Sequence, residues 1–168
     1  MPPGVNGRAL QEYLRRAEVA LRSNNFSLAA ALSSEAIERG LVHPNLLTLA
    51  VYHQINIQMY ERGLELAVRA RQLAPRSPDA MQAHGRVLAE LGRHREAVEA
   101  FNAALRLAPG SPHILYFRAV AFENLQEIAR AQSEYRRVTE IAPHPGALGK
   151  LAHYSALRGE VESARNYA

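Results

Sequence analysis

The side chains best suited to chemistry in this chain are seven histidines, and their spacing forms no catalytic or metal-binding motif. No two of them stand in the His-Glu-x-x-His arrangement that places two imidazoles on one helical face for zinc. The absence of cysteine excludes thiolate metal ligands and disulfides. Gly146 and Gly149 lack the Lys-Ser/Thr that completes a phosphate-binding loop. We therefore expect no catalytic residue, no cofactor and no metal in this chain, which is not expected to be an enzyme.

The composition indicates a chain with a sizeable apolar core and a charged surface. The 168 residues are 48% hydrophobic, carry a formal net charge of +4, and include 19 arginines but one lysine. This charge is too small to indicate a nucleic-acid partner by itself. No apolar run approaches the roughly 20 residues that span a bilayer, and the N-terminus lacks a signal-peptide pattern. We expect a cytoplasmic protein with no membrane partner, and the arginine bias favours a bacterial source.

The elements that carry these residues are defined by two series of evenly spaced prolines. The first series, with a step of 34 residues, is Pro75, Pro109 and Pro143. The second series, with steps of 34, 34 and 33 residues, is Pro44, Pro78, Pro112 and Pro145. A period of this size is typical of stacked supersecondary units. It predicts repeats near 10–43, 44–77, 78–111, 112–144 and 145–168, the last truncated, within a single repeat domain over 1–168.

Each repeat contains two helical patterns separated by a short polar break. In the second repeat, Leu47, Ala50 and Val51 keep the spacing of one apolar helical face. Ser77 and Ser111 each precede a proline, a combination that favours a serine N-cap with proline at the first helical position. The predicted helices are 8–22, 26–39, 45–57, 61–73, 79–91, 95–107, 113–125, 129–141, 146–157 and 161–168.

Aligning the repeats reveals positions that hold mostly small residues, as close helix packing requires. They are Ala17, Val51, Gly85, Ala119 and Ala152 in the first helices, and Ala29, Gly63, Ala97, Ala131 and Ala164, then Ala36, Ala70, Ala104 and Val138, in the second. The large side chains expected to fill the facing gaps are Phe101, Tyr135, Leu73, Leu105, Leu107 and Ile141. His84 lies in such a packing position and is expected to be a core residue.

These positions make the chain resemble the tetratricopeptide repeat family. The third repeat matches that family's pattern best, through Met81, His84, Gly85, Leu88, Ala97, Phe101, Ala104 and Pro109. The resemblance implies an all-α fold, a right-handed superhelical solenoid of about five stacked antiparallel helix pairs. It also implies a non-catalytic scaffold that binds a peptide or protein segment in a concave groove.

In that family the first helix of each repeat lines the groove, so the resemblance implies a set of binding residues. They are Glu18, Arg22, Asn45, Thr48, Tyr52, Asn56, Gln82, Arg86, Glu90, His113, Tyr116 and Asn124, with Gln11, Leu14, Asp79, Val120, Gly149 and His153 beside them. The same residues would also suit a solvated helix surface without a ligand, and this alternative stays open.

Three other functions can be weighed on the same positions. Family members that hold chaperone tails use a lysine and an asparagine where this chain has Leu14 and Glu18, so a carboxylate clamp is not expected. An RNA-binding helical repeat is an alternative, but Glu18, Asp79 and Glu90 interrupt any basic track. A third alternative is the substrate-recruiting region of a larger bacterial sulfotransferase, which residues 147–165 weakly resemble.

The C-terminal repeat ends within its second helix, and no polar capping helix follows it in the sequence. We therefore expect a piece of a longer chain with an open apolar face at this end. The residues expected on that face are Leu148, Leu151, Ala152, Val161, Ala164 and Tyr167. Such a face predicts either fraying of the last helix or self-association through this repeat.

Overall fold

The computed structural model describes residues 3–167, which form an all-α fold of successive antiparallel helix pairs. The first three helices are α1 (Pro3–Arg22), α2 (Phe26–Glu38) and α3 (Pro44–Asn56); α4 (Tyr60–Leu73), α5 (Pro78–Glu90) and α6 (His94–Leu107) follow. The last four are α7 (Pro112–Asn124), α8 (Ile128–Ile141), α9 (Pro145–Leu157) and α10 (Val161–Tyr167). Over this range the predicted helices are confirmed to within one residue, except that α1 begins at Pro3 rather than at residue 8. The sequence did not predict this earlier start because it contains Gly4 and Gly7, and glycine disfavours helix interiors.

Four of the first helices begin with proline preceded by a side chain that caps the helix. The Oγ atoms of Ser77 and Ser111 accept hydrogen bonds from the amides three residues on, at 3.2 and 3.4 Å, as the sequence predicts. The Nδ1 atoms of His43 and His144 accept from backbone amides in the same way, both at 3.2 Å. These histidine rings therefore satisfy helix donors that would otherwise be unpaired.

The chain divides into two compact units, Met1–Gly92 with α1–α5 and Arg93–Ala168 with α6–α10. The boundary lies in the turn between α5 and α6, inside the third repeat of the sequence. The single repeat domain over 1–168 stays a prediction.

In unit 1 the small-residue positions bring helices into close contact. A Cβ on Gly63 of α4 would lie 3.1 Å from Val87 Cγ2 and 3.4 Å from Gln54 Cβ. Gln54 is itself buried, and its Nε2 donates to Ser34 Oγ at 3.0 Å. The glycine therefore allows α4 to approach α3 and α5 closely, as expected from its position in the repeat.

In unit 2 the core combines small residues with two large aromatic side chains. Phe101 and Tyr135 are both 0% exposed, as are Ala119 and Ala131. Arg118 of α7 is also largely enclosed, and it pairs with Glu134 of α8 at 2.7 Å. These contacts join α7 to α8 and confirm the predicted alternation of small and large residues.

Some sequence expectations about the core are wrong. Leu73, Leu107 and Ile141 are 52%, 42% and 47% exposed, because each is the last residue of its helix and projects beyond the packed turns. His84 is half-buried rather than a core residue, and its Nδ1 lies 2.9 Å from Arg71 Nη1 at the edge of the α4–α5 contact.

The expected open face of the last repeat is smaller than predicted. Leu151 is 2% exposed, so its assignment to that face is wrong; α9 turns this side chain into the core of unit 2. Leu148, Ala152, Ala164 and Tyr167 are half-buried. The side chain of Val161 lies outside the described residues. Self-association through this repeat stays a prediction.

Enlarging a small residue in the core should destabilise the fold. Ala97 and Ala131 are both 0% exposed. We expect Ala97→Leu or Ala131→Leu to lower the free energy of unfolding by about 1–3 kcal/mol through overpacking. Urea denaturation followed by circular dichroism measures this. Unchanged stability in both variants would contradict the assigned repeat alignment.

Candidate functional site

The predicted binding residues of unit 1 lie on α1, α3 and α5, the first helix of each repeat. Those with at least partial exposure form what we call the unit 1 wall: Glu18, Arg22, Asn45, Tyr52, Asn56, Gln82, Arg86 and Glu90. Thr48 does not belong to this surface, because it is 7% exposed and its Oγ1 donates to the Pro44 carbonyl at 2.9 Å.

The wall's arginines are paired with carboxylates on their own helices. Arg22 lies 2.6 Å from Glu18 and Arg86 lies 3.2 Å from Glu90, both with i,i+4 spacing. The first pair is well exposed, whereas the side chain of Arg86 is 21% exposed. The wall therefore presents both signs of charge in local pairs rather than a positive track.

Tyr52 is the half-buried aromatic residue of this wall. Its ring packs against the core cluster that includes Leu47 and Val51. Burial raises the pKa of its phenol to about 12, an effect that the charge of Arg86 opposes and that of Asp79 reinforces. Because the phenol stays protonated at physiological pH, Tyr52 offers a hydroxyl donor on the same wall as Arg86.

In unit 2 the predicted residues lie on α7, and we call His113, Tyr116 and Asn124 the unit 2 wall. The Tyr116 ring stacks on His144 with centroids 4.4 Å apart, and His113 lies 6.1 Å from His144. A Cβ on Gly146 would lie 2.8 Å from the Tyr116 hydroxyl oxygen, so a glycine at this position leaves room for the phenol. The Asn124 amide instead donates to the carbonyl of Val120, one turn earlier in the same helix.

Sequence reasoning missed His144 as a neighbour of this wall. Burial lowers the pKa of its imidazole, and the nearby His113 lowers it further. The neutral ring is also the form whose Nδ1 accepts from the backbone amide that begins α9. The result is an uncharged stack of Tyr116 on His144 beside the exposed His113.

A second feature missed from the sequence is the carboxylate of Glu123, on the same helix as Tyr116. Its Oε2 accepts from Lys150 Nζ at 2.8 Å and from the Tyr135 hydroxyl at 3.0 Å, while its Oε1 accepts from the Tyr154 hydroxyl. Burial alone would raise the pKa of Glu123, but these hydrogen bonds and the Lys150 charge outweigh it and hold the pKa below its ordinary value. This carboxylate joins α7, α8 and α9, and its two oxygens already accept hydrogen bonds from three side chains of the protein.

Over residues 3–167 no cluster of three or more metal-ligating side chains was found. Within the same range, every helix is too short or too polar to cross a membrane. The groups that both walls present are amides, paired charges, imidazoles and two tyrosines.

Comparison with known sequences finds similarity to repeat proteins. The family model described as "Tetratricopeptide repeat" matches residues 58–112 and 83–147, which together cover more than half of the chain. Tetratricopeptide repeat protein 28 of Homo sapiens is 32% identical over 113 residues, which are 67% of this chain and 5% of that protein. The mouse counterpart, from Mus musculus, is 29% identical over the same shares.

Comparison with solved structures shows the same fold. TTC0263, a thermophilic TPR protein of Thermus thermophilus, is similar with a TM-score of 0.77 and 16% identity, over 94% of this chain and 87% of that one. MamA of Desulfovibrio magneticus RS-1 gives 0.69 and 16%, over 94% and 90%. YrrB, described as a TPR protein with an unusual peptide-binding site, gives 0.65 and 21%, over 83% and 73%.

Proposed function

Because this chain belongs to the tetratricopeptide repeat family, we propose that it is a non-catalytic scaffold that binds a peptide or protein segment along its first helices. The observation that carries the proposal is the placement of Tyr52 and Tyr116. Each ring is half-buried and packs against neighbours, Tyr52 against the core cluster of unit 1 and Tyr116 against His144. Fixed aromatic side chains bind partners at a low entropic cost.

The polar groups of the walls support a peptide rather than a compact small ligand. Asn45 and Asn56 are exposed and carry amide donors and acceptors that can match a peptide backbone. Arg86 pairs with Glu90, and its charge acts on the Tyr52 phenol. Its partly enclosed guanidinium is suited to an energetic anchor. YrrB, a TPR protein with an unusual peptide-binding site, shares this fold.

The charge pairs support a protein partner over RNA. Phosphate-backbone binding depends on several cations whose counterions are released into bulk solution. On the unit 1 wall, Arg22 and Arg86 already face carboxylates of their own helices. A strong affinity for RNA would require both pairs to open.

Selection of peptides from a displayed random library provides the ligand that tests this proposal. We expect Tyr52→Ala, Arg86→Ala and Tyr116→Ala each to weaken a selected peptide about tenfold or more, as anchor residues do. Tyr52→Phe keeps the ring and separates the contribution of the hydroxyl. Fluorescence anisotropy gives the affinities, and circular dichroism checks that helicity is unchanged.

Glu99→Ala and Arg106→Ala on α6 are the control variants, because both side chains are exposed and lie on a second helix. They should leave the affinity within about twofold, since contacts outside an interface contribute little. The proposal would be refuted if these control variants lost binding while the three wall variants bound the peptide with wild-type affinity. That result would place the site on the second helices.

A further inference from the structure

Unit 1 has a second candidate interaction surface, a groove between α1 and α2. It encloses about 280 Å³. Ala20 and Leu32 form its buried floor, at 3% and 7% exposure, while Val19 and Leu28 line it at 52% and 47%. Two large apolar side chains that face the same cleft and remain half in water are typical of an interaction surface.

The shape of this groove favours a helix as its occupant. Two packed helices present a furrow that accepts side chains from a third helix. An amphipathic helix engages such a furrow with apolar residues spaced at i, i+3, i+4 and i+7.

The charges at the groove determine which helix would fit. Arg15 and Arg16 line it, and none of its lining residues is acidic. Arg15 pairs with Glu12 at 2.8 Å. The Arg16 guanidinium lies over the Tyr13 ring at 5.4 Å, and in the described part of the chain it forms no ion pair within 4.0 Å. A second copy bound face to face would bring like charges together, which disfavours a symmetric dimer.

We propose that the α1–α2 groove binds an amphipathic helix of another protein, with apolar side chains between Val19 and Leu28 and carboxylates beside Arg15 and Arg16. The groove adjoins the unit 1 wall, whose Glu18 and Arg22 also lie on α1, but none of the residues that line it belongs to that wall. The proposal therefore does not depend on peptide binding at Tyr52 and Arg86. It assigns the chain a second partner, recognised by an acidic helix.

A displayed library of 15-residue helices, randomised at apolar and charged positions, supplies the probes. Binders are selected on the wild-type chain without counter-selection, so that the groove variants test them independently. We expect the selected helices to carry i, i+3, i+4 apolar spacing and a net negative charge. Val19→Asp should weaken them about tenfold or more. Val68→Asp, at a 40% exposed valine of α4, is the matched control and should leave affinity unchanged.

Charge reversal tests the second half of the proposal. Arg16→Glu should weaken an acidic helix by about fivefold or more, lessen the salt dependence of its binding, and improve binding of the same helix with lysines in place of its glutamates. Selected helices that are basic, or that respond to Tyr52→Ala and Tyr116→Ala but not to Val19→Asp, would overturn the proposal. A concentration-dependent dimer in sedimentation that Val19→Asp dissolves would overturn it as well.

Discussion

Phe101→Ala is expected to lower the free energy of unfolding by about 3–5 kcal/mol, the usual cost of removing a buried phenylalanine. The Phe101 side chain is 0% exposed in the core of unit 2, and small residues such as Ala104 and Ala131 are buried with it. The alanine variant would leave a cavity that these rigid helices cannot fill completely. Urea denaturation followed by circular dichroism gives the change in free energy.

Leu107→Ala is the control for this prediction, since both residues belong to α6 and both were expected from the sequence to fill gaps. At 42% exposure, Leu107 contributes mainly to the surface. Its replacement should change stability by only about 0.5 kcal/mol. Similar losses in the two variants would show that the burial pattern of α6 is wrong.

Glu123→Ala is expected to lower the free energy of unfolding by about 2–4 kcal/mol, because it leaves buried donors without their acceptor. Tyr135, Tyr154 and Lys150 all donate to this carboxylate, whose side chain is 18% exposed. Glu140→Ala on α8 is the control, since Glu140 is exposed, and it should change stability by less than about 0.5 kcal/mol. Equal effects would show that the Glu123 cluster contributes nothing to stability.

The contribution of Glu123 should also depend on pH. The pKa of its carboxyl is held below the ordinary value of 4.5, so folding favours the ionised form. The stability this provides is complete above pH 4.5 and is lost as the pH falls through the folded-state pKa. The stability difference between wild type and Glu123→Gln should therefore shrink in acid. A difference that grows as the pH falls would show that folding raises this pKa.

Much of the fold was predictable because the repeat imposes it at several levels. Proline marks the ends of helices through its fixed φ and missing donor, which placed the predicted boundaries close to those of α2–α10. The small-residue positions were equally informative: Ala29, Gly63, Ala97 and Ala131 are all buried where second helices meet their neighbours. Because equivalent positions recur in successive repeats, an assignment made in one repeat supported the same assignment in the others.

The remaining core features depend on helix geometry that the repeat period does not contain. Leu73, Leu107 and Ile141 occupy equivalent positions, so one wrong inference about the last helical turn was repeated three times. The partners of Glu123 come from two other helices, Lys150 being 27 residues away and Tyr154 being 31. Such a cluster breaks the repeat pattern, and comparison of equivalent positions therefore could not reveal it.

The sequence predicted which helices carry the candidate site, but it did not predict the contacts of individual side chains. The structure places all twelve proposed residues on first helices, but it buries Thr48 and bonds the Asn124 amide to its own helix. Local side-chain to backbone bonds of this kind are a property of single residues and leave no signal in the repeat. His144 was missed because it precedes α9 rather than lying on a first helix, although its ring stacks on Tyr116.

Amide chemical-shift mapping with a selected peptide tests the proposed binding surface most directly, because it locates the ligand without altering the protein. The proposal predicts that the largest shifts fall on the first helices, around Tyr52 and Arg86 in unit 1 and around Tyr116 in unit 2. Shifts concentrated on second helices, for example around Glu99 and Arg106 of α6, with the first helices unaffected, would contradict it.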